Sequence, residues 1–234
     1  PNGTGKSTLL RILAGLEPMD TGSIERRRDA TFLYLPQEPA LDPALSPREI
    51  AREGLVQWHA AKSRYEALSE RLGSGETDGA LVAQQASAAD DVERLGGWSR
   101  DYEVDEILGH LGVRDLDRAV GTMSGGEKRR VALARILVAK PDLAIFDEPT
   151  NHLDADTISW LEEYLVHEFP GAVLFVTHDR YLLDNVAQRV FDLEYGAVAE
   201  YTKRNDAVGA FEDFLEQKAE RFAHASRAES NRLS

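Results

Sequence analysis

The chain has 234 residues, no cysteine, and 41 acidic against 27 basic side chains, for a formal net charge of −14. This excludes a disulfide framework and a thiolate metal site, and it argues against a general nucleic-acid-binding surface, which would be basic. No apolar run approaches the roughly 20 residues of a membrane-spanning helix, so work at a membrane would require another chain or segment to do the spanning.

The length suffices for one α/β domain with a real core. With no signal peptide in view, a cytoplasmic location is the default expectation. The chain opens at Pro1 inside a motif, which leaves room for a targeting segment ahead of it.

Residues 1–5 predict a loop running into a helix with Leu9, Ile12, Leu13 and Leu16 on one face. Residues 31–35 read as a strand stopped by Pro36. From Pro47 to about Leu111 the pattern is helical, with breaks at residues 73–75 and 96–97. Ten carboxylates and three arginines lie in residues 70–106, which puts half of the net charge there. A further helix is expected from near Gly125, with Val131, Leu133, Ala134 and Leu137 apolar. It is followed by a strand over 143–146, a helix over 155–168, a strand over 172–177 and a short helix after Asp179. Strands near 189–193 and 198–201 precede an amphipathic helix from about Asp206. That exit segment carries Lys218, Arg221, Arg227 and Arg232 and is mildly basic.

Alternating strands and helices imply an α/β fold whose mainly parallel sheet is covered on both faces. The helical stretch interrupts the alternation and is read as a subdomain inserted into the core, at about 47–139 once the helix after Gly125 is included.

Asn2, Gly3, Thr4, Gly5, Lys6, Ser7 and Thr8 match the end of the Walker A pattern G-x-x-x-x-G-K-[ST], whose backbone cradles phosphates. Counted back, the first glycine of the pattern falls one place before Pro1. Gly3 and Gly5 permit a loop whose N–H groups point inward, and the helix presents its positive N-terminus to the same anion. Lys6 can reach the β- and γ-phosphates, and the Ser7 hydroxyl can ligate Mg²⁺. The bland reading is a glycine-rich turn with a solvated lysine.

The apolar run from Leu143 ends in Asp147 and Glu148. Burial of the run in the sheet delivers both to the strand's carboxyl edge, where α/β ligands bind. Asp147 would hold Mg²⁺ through water. Glu148, one residue on, would point the other way and polarise the attacking water. Taken alone, a strand ending in a solvated acidic turn is the commoner situation.

Ser124, Gly125, Gly126 and Glu127 precede a helix and form a capping box, with Ser124 as N-cap and Glu127 at the third helical position. Two glycines weaken a helix start by roughly 1 kcal/mol each unless something must approach the backbone closely. A second phosphate site is therefore expected there. Gln37 and His178 each follow a strand at the edge where phosphates would sit, and an imidazole there can report on the γ-phosphate. Asp154 reads plainly as the N-cap of the next helix.

Taken together and in this order, these motifs resemble the ABC ATPase family over essentially the whole chain up to about Tyr201. The runs 123–135 and 147–154, the Tyr34–Glu38 segment and the closing 214–221 segment look like the ABC-F branch, and residues 96–98 are similar to its Uup-like members. The resemblance implies an ATP hydrolase. Its Mg²⁺ would be held by Ser7, Gln37 and Asp147, Glu148 would act as base and His178 as switch, and Asp154 would belong to a nucleotide-contacting loop. It also implies a second ABC domain that sandwiches each ATP head to tail, because one domain cannot fold its signature onto its own Walker A. ABC-F proteins are soluble, carry two such domains and act on ribosomes.

Met123 departs from the family's usual leucine, a conservative change. With a single ABC domain in the chain, residues 1–205 are expected to be a truncated first domain and 206–234 the start of a charged linker helix that contacts ribosomal RNA. The ATP-binding subunit of a membrane transporter is the alternative. An ATPase acting on DNA is disfavoured by the acidic body and by the lack of a long coiled-coil insertion.

Overall fold

The computed structural model describes residues 5–28, 30–76, 78–194, 196–204 and 208–233, with side chains described as far as 223. Helix α1 (Lys6–Ala14) starts at Gly5 and ends at Gly15. Strands β1 (Phe32–Leu35), β2 (Leu143–Asp147) and β3 (Ala172–Val176) follow in the sequence and form a parallel sheet with β2 in the centre. In register, Leu35 faces Phe146 and Phe146 faces Phe175. Leu35 and Phe146 are fully buried, as expected of parallel strands covered on both faces.

The face of α1 differs from the one expected. Leu10 is the buried residue, whereas Leu9 and Leu16 are 39% and 64% exposed. The helix packs on β1 and β2 through Leu10, one position along from Leu9 of the apolar stripe.

The helical stretch comprises α2 (Pro47–Arg52), a 3₁₀ turn at Glu53–Leu55, α3 (Val56–Gly73), α4 (Gly79–Arg94), α5 (Asp101–His110) and α6 (Gly125–Ala139). α2 opens with a capping box between Ser46 and Glu49 and with proline at the first position. α3 and α4 pack on each other around a small cluster of Leu68, Leu81 and Ala88. The main core does not stop at the edge of the insert. A single cluster joins Leu35 and Phe146 of the sheet, Trp58 and Leu108 of the insert, and the apolar residues of α6 from Val131 to Val138. Arg100, 1% exposed, ties the parts together by donating to Leu95 O at the end of α4 and to Val138 O in α6. α6 is therefore the spine of the molecule.

Helix α7 (Ala155–His167) links β2 to β3, and α8 (Arg180–Val186) follows β3. Strands β4 (Arg189–Glu194) and β5 (Ala197–Thr202) pair only with each other among the described strands, as an antiparallel hairpin separate from the parallel sheet. Helix α9 (Ala210–Leu233) packs back on this hairpin and on α8; the expected start near Asp206 lies outside the described residues. Asp184 of α8 accepts the Phe211 N–H at 2.7 Å, satisfying one of the open donors at the start of α9. Lys218, expected to face RNA, instead sits 2.7 Å from both Asp192 and Glu194 of β4.

Candidate nucleotide site

The carboxyl ends of β1, β2 and β3 open on a cleft of about 500 Å³ into which α1 also points. Gly5, Lys6, Ser7 and Thr8 form one wall, and Gln37, Asp147, Glu148, Asn151 and His178 the other. Gly5 holds a left-handed φ of 82°, which a side chain would resist, and this turn starts α1 with its first N–H groups at the cleft. Asn2, Gly3 and Thr4 lie outside the described residues.

Asp147 is 4% exposed, and the Tyr34 hydroxyl donates to its Oδ2 at 3.4 Å. Burial first, and then the negative charge of Asp147, pushes the Tyr34 hydroxyl above its ordinary value, so it stays a donor.

Asp147 and Glu148 both line the cleft but turn to opposite neighbours, Asp147 to Tyr34 of β1 and Glu148 to His178 beyond β3. Glu148 has left-handed φ (56°), unusual for a residue with a side chain, so the strand's alternation ends at Asp147. Its N–H donates to Val176 O at 2.8 Å, which closes the end of β2 on that of β3. The Glu148 carboxylate then accepts the His178 N–H at 3.1 Å, with the imidazole Nε2 3.5 Å away. The carboxylate and imidazole expected to act together are thus side by side.

Ser7, Gln37 and Asp147 offer a hydroxyl, an amide and a carboxylate on the same cleft. Few, hard oxygen donors of this kind suit Mg²⁺, which keeps most of its waters and takes phosphate oxygens from substrate. Among the described residues there is no cluster of three or more His, Cys, Asp or Glu able to cage a metal alone.

The Ser124 capping box forms as read. Ser124 Oγ accepts the Glu127 N–H at 3.3 Å, and Glu127 Oε2 accepts the Ser124 N–H at 2.9 Å. The hydroxyl hydrogen of Ser124 is also committed, to Glu127 Oε2 at 2.8 Å. These bonds from Ser124, backbone first, hold the Glu127 carboxyl below its ordinary range. A phosphate arriving at Ser124 would have to take that hydrogen over.

The two glycines turn out to have different reasons. A Cβ on Gly125 would meet nothing within 4 Å, so that position is open to an approaching group. A Cβ on Gly126 would come within 3.1 Å of the His152 side chain, so a protein neighbour occupies that space. Arg130 also donates to His152 O at 3.1 Å, which joins the signature to the 151–154 loop. Glu127, Arg130, His152 and Asp154 line a second cavity of about 470 Å³, along with Arg114, Arg118 and Thr157. It shares no residue with the cleft at Lys6. Asp154 caps α7 by accepting the Thr157 N–H at 2.9 Å, and it lies on this second cavity rather than with Lys6.

Besides Asn151 and Val176 of the lining, two residues that support the cleft were not expected from the sequence. One is Tyr34. The other is Arg129 of α6, 4% exposed, whose guanidinium donates to Gln37 O, to Asp147 O, and to Glu148 O at 2.6 Å. Three consecutive cations, Lys128 to Arg130, in the first turns of a helix stand against the helix dipole. That mismatch was the available clue that one of them is held for another purpose.

A glycine-led helix start at the cleft, a carboxylate pair at the end of the central strand of a parallel sheet, and a separate capped signature are the arrangement of an ABC ATPase domain. The chain belongs to the family described as ABC transporter, whose sequence model matches residues 1–151. It is 38% identical to the energy-dependent translational throttle protein EttA of Mycobacterium tuberculosis, over 98% of this chain and 40% of that protein. Against the uncharacterized ABC transporter ATP-binding protein YfmR of Bacillus subtilis it is 39% identical, over 99% of this chain and 36% of the relative. The chain therefore spans about two fifths of the length of these relatives. Among solved structures, the complex of archaeal ribosomal stalk protein aP1 with archaeal ribosome recycling factor aABCE1 aligns with a TM-score of 0.56 and 28% identity, covering 84% of this chain and 31% of that one.

Proposed function

We propose that this domain binds Mg·ATP in the cleft between Lys6 and Glu148 and hydrolyses it when a second ABC domain lays its signature over the bound nucleotide. The observation that carries this reading is the separation of the two half-sites. The cleft holds the groups assigned to phosphate and water, while Ser124 lies outside it and its capping partner Glu127 lines a separate cavity on the same domain. Each half then calls for its complement on another domain.

Within the cleft, Lys6 and the first N–H groups of α1 neutralise phosphate charge. Ser7, Gln37 and Asp147 would hold Mg²⁺, which draws charge from the phosphate oxygens when bound. Glu148 accepts the proton of the attacking water. His178, beside Glu148, contacts the terminal phosphate and registers its departure.

The output we assign is a closure and reopening coupled to the ribosome in the cytoplasm. Support comes from the similarity to translational throttle proteins and from the ribosome recycling factor among the structural neighbours. No helix among the described residues is long and apolar enough to cross a membrane. Residues 1–205 form the nucleotide-binding domain in this reading, with α9 leading out of it.

The test is Glu148→Gln in the full-length protein. ATP binding should persist while hydrolysis falls by roughly 10²–10⁴-fold, and the ATP-held protein should co-sediment with ribosomes. Equal loss of binding and rate would move Glu148 to the metal site. Co-purification with an integral membrane protein, without ATP-dependent ribosome association at low salt, would support the transporter reading instead.

A further inference from the structure

We propose that Arg129 is a positioning residue for hydrolysis, which ties the three metal- and water-handling segments of the cleft to the signature of its own domain. The inference rests on the ATPase reading and extends it. The guanidinium is buried, and all three of its hydrogen-bond acceptors in the described structure are main-chain carbonyls. They belong to Gln37 just past β1, Asp147 at the end of β2, and Glu148 beyond it. These are the residues assigned to the metal ion and the attacking water. Their side chains are left untouched by Arg129 and remain available to the cleft.

A planar guanidinium with a fixed fork of donors can hold three carbonyls at once, which an ammonium cannot do in the same geometry. One of the three carbonyls belongs to the residue with left-handed φ, and the bond at 2.6 Å helps retain that conformation. The carboxylates of Asp147 and Glu148 act on Arg129 through charge alone, which partly offsets the burial that lowers its basicity. The cation thus backs the acidic side of the cleft from behind.

The same residue sits five positions after Ser124 on one rigid helix. Its neighbour Arg130 holds the loop of the second cavity at His152 O. Engagement of Ser124 by the nucleotide of another domain would therefore move α6, and Arg129 would carry that movement to Gln37, Asp147 and Glu148. One helix start serves two ATP sites.

Arg129→Met in the full-length protein tests this. Expected is a fall in kcat on the order of 10²-fold, as for displaced catalytic groups, while the KM for ATP moves little and the Mg²⁺ requirement rises. Arg129→Lys keeps a charge but cannot span the three carbonyls, and its kcat should fall between the two. Thermal unfolding of each variant separates positioning from folding. A folded Arg129→Met protein as active as an active wild type would overturn the inference alone. A kcat loss that simply follows loss of fold across the Met and Lys variants would overturn it too. Wild-type protein that neither binds nor hydrolyses ATP would overturn the ATPase reading, and this inference with it.

Discussion

At the scale of single residues, Gly125 and Gly126 show how adjacent identical residues answer to different constraints. The sequence reading gave both the same reason, an approaching ligand. At Gly125 nothing stands within 4 Å, which leaves room for such an approach, whereas Gly126 is crowded by His152. Alanine inside a helix is ordinarily more stable than glycine by about 0.5–1 kcal/mol. Gly125→Ala should therefore hold or raise the unfolding temperature while lowering ATP turnover by the paired domains. Gly126→Ala should gain no stability, because His152 must give way. Thermal unfolding of the two variants checks this, and an equal rise in both would remove the His152 explanation. The motif residues were legible because their types and spacing encode local chemistry. Arg129 and Tyr34 were not, because the partners of Arg129 lie 18, 19 and 92 positions away and that of Tyr34 113, and only folding brings them near.

At the scale of elements, most helices and strands were readable from periodicity, and the capping boxes at Ser46 and Ser124 formed as local rules require. Packing between elements was less legible. The stripe on α1 suggested Leu9 and Leu16, but against β1 and β2 the helix buries Leu10 instead.

The exit helix α9 was legible as a helix but not in its packing. Lys218, one of the four cations proposed for a contact with RNA, is engaged by Asp192 and Glu194, while Phe214 packs edge-on against Tyr201 at 5.0 Å. Arg221 remains exposed; the side chains of Arg227 and Arg232 lie outside the described residues. Lys218→Gln should loosen α9 from the hairpin at a cost of about 0.2–1 kcal/mol, the range for partly exposed ion pairs. The bonds to Asp192 and Glu194 raise the pKa of Lys218 above its ordinary 10.5. This contribution is thus fully present below pH 10.5 and is lost as pH rises through the raised value. Urea unfolding of wild type and Lys218→Gln at neutral and strongly alkaline pH should show the difference shrinking at the higher pH. A difference that persists there would show that the ion pairs are not its source.

At the scale of the whole molecule, the α/β class and the parallel sheet were legible, because strands buried on both faces are continuously apolar. The separate β4–β5 hairpin was not, since strand pairing depends on contacts that periodicity does not carry. Nor was the continuity of the core through the helical insert, where α6 serves the sheet and the insert, lines the second cavity and, through Arg129, braces the backbone behind the cleft. That arrangement sets the central claim, which is that one domain displays two incomplete halves of different ATP sites. ATP turnover per molecule, measured for the 234-residue chain over a wide range of protein concentration, tests it most directly. The account predicts weak turnover that rises with concentration, because two copies must meet to complete a site. Robust turnover independent of concentration would contradict it.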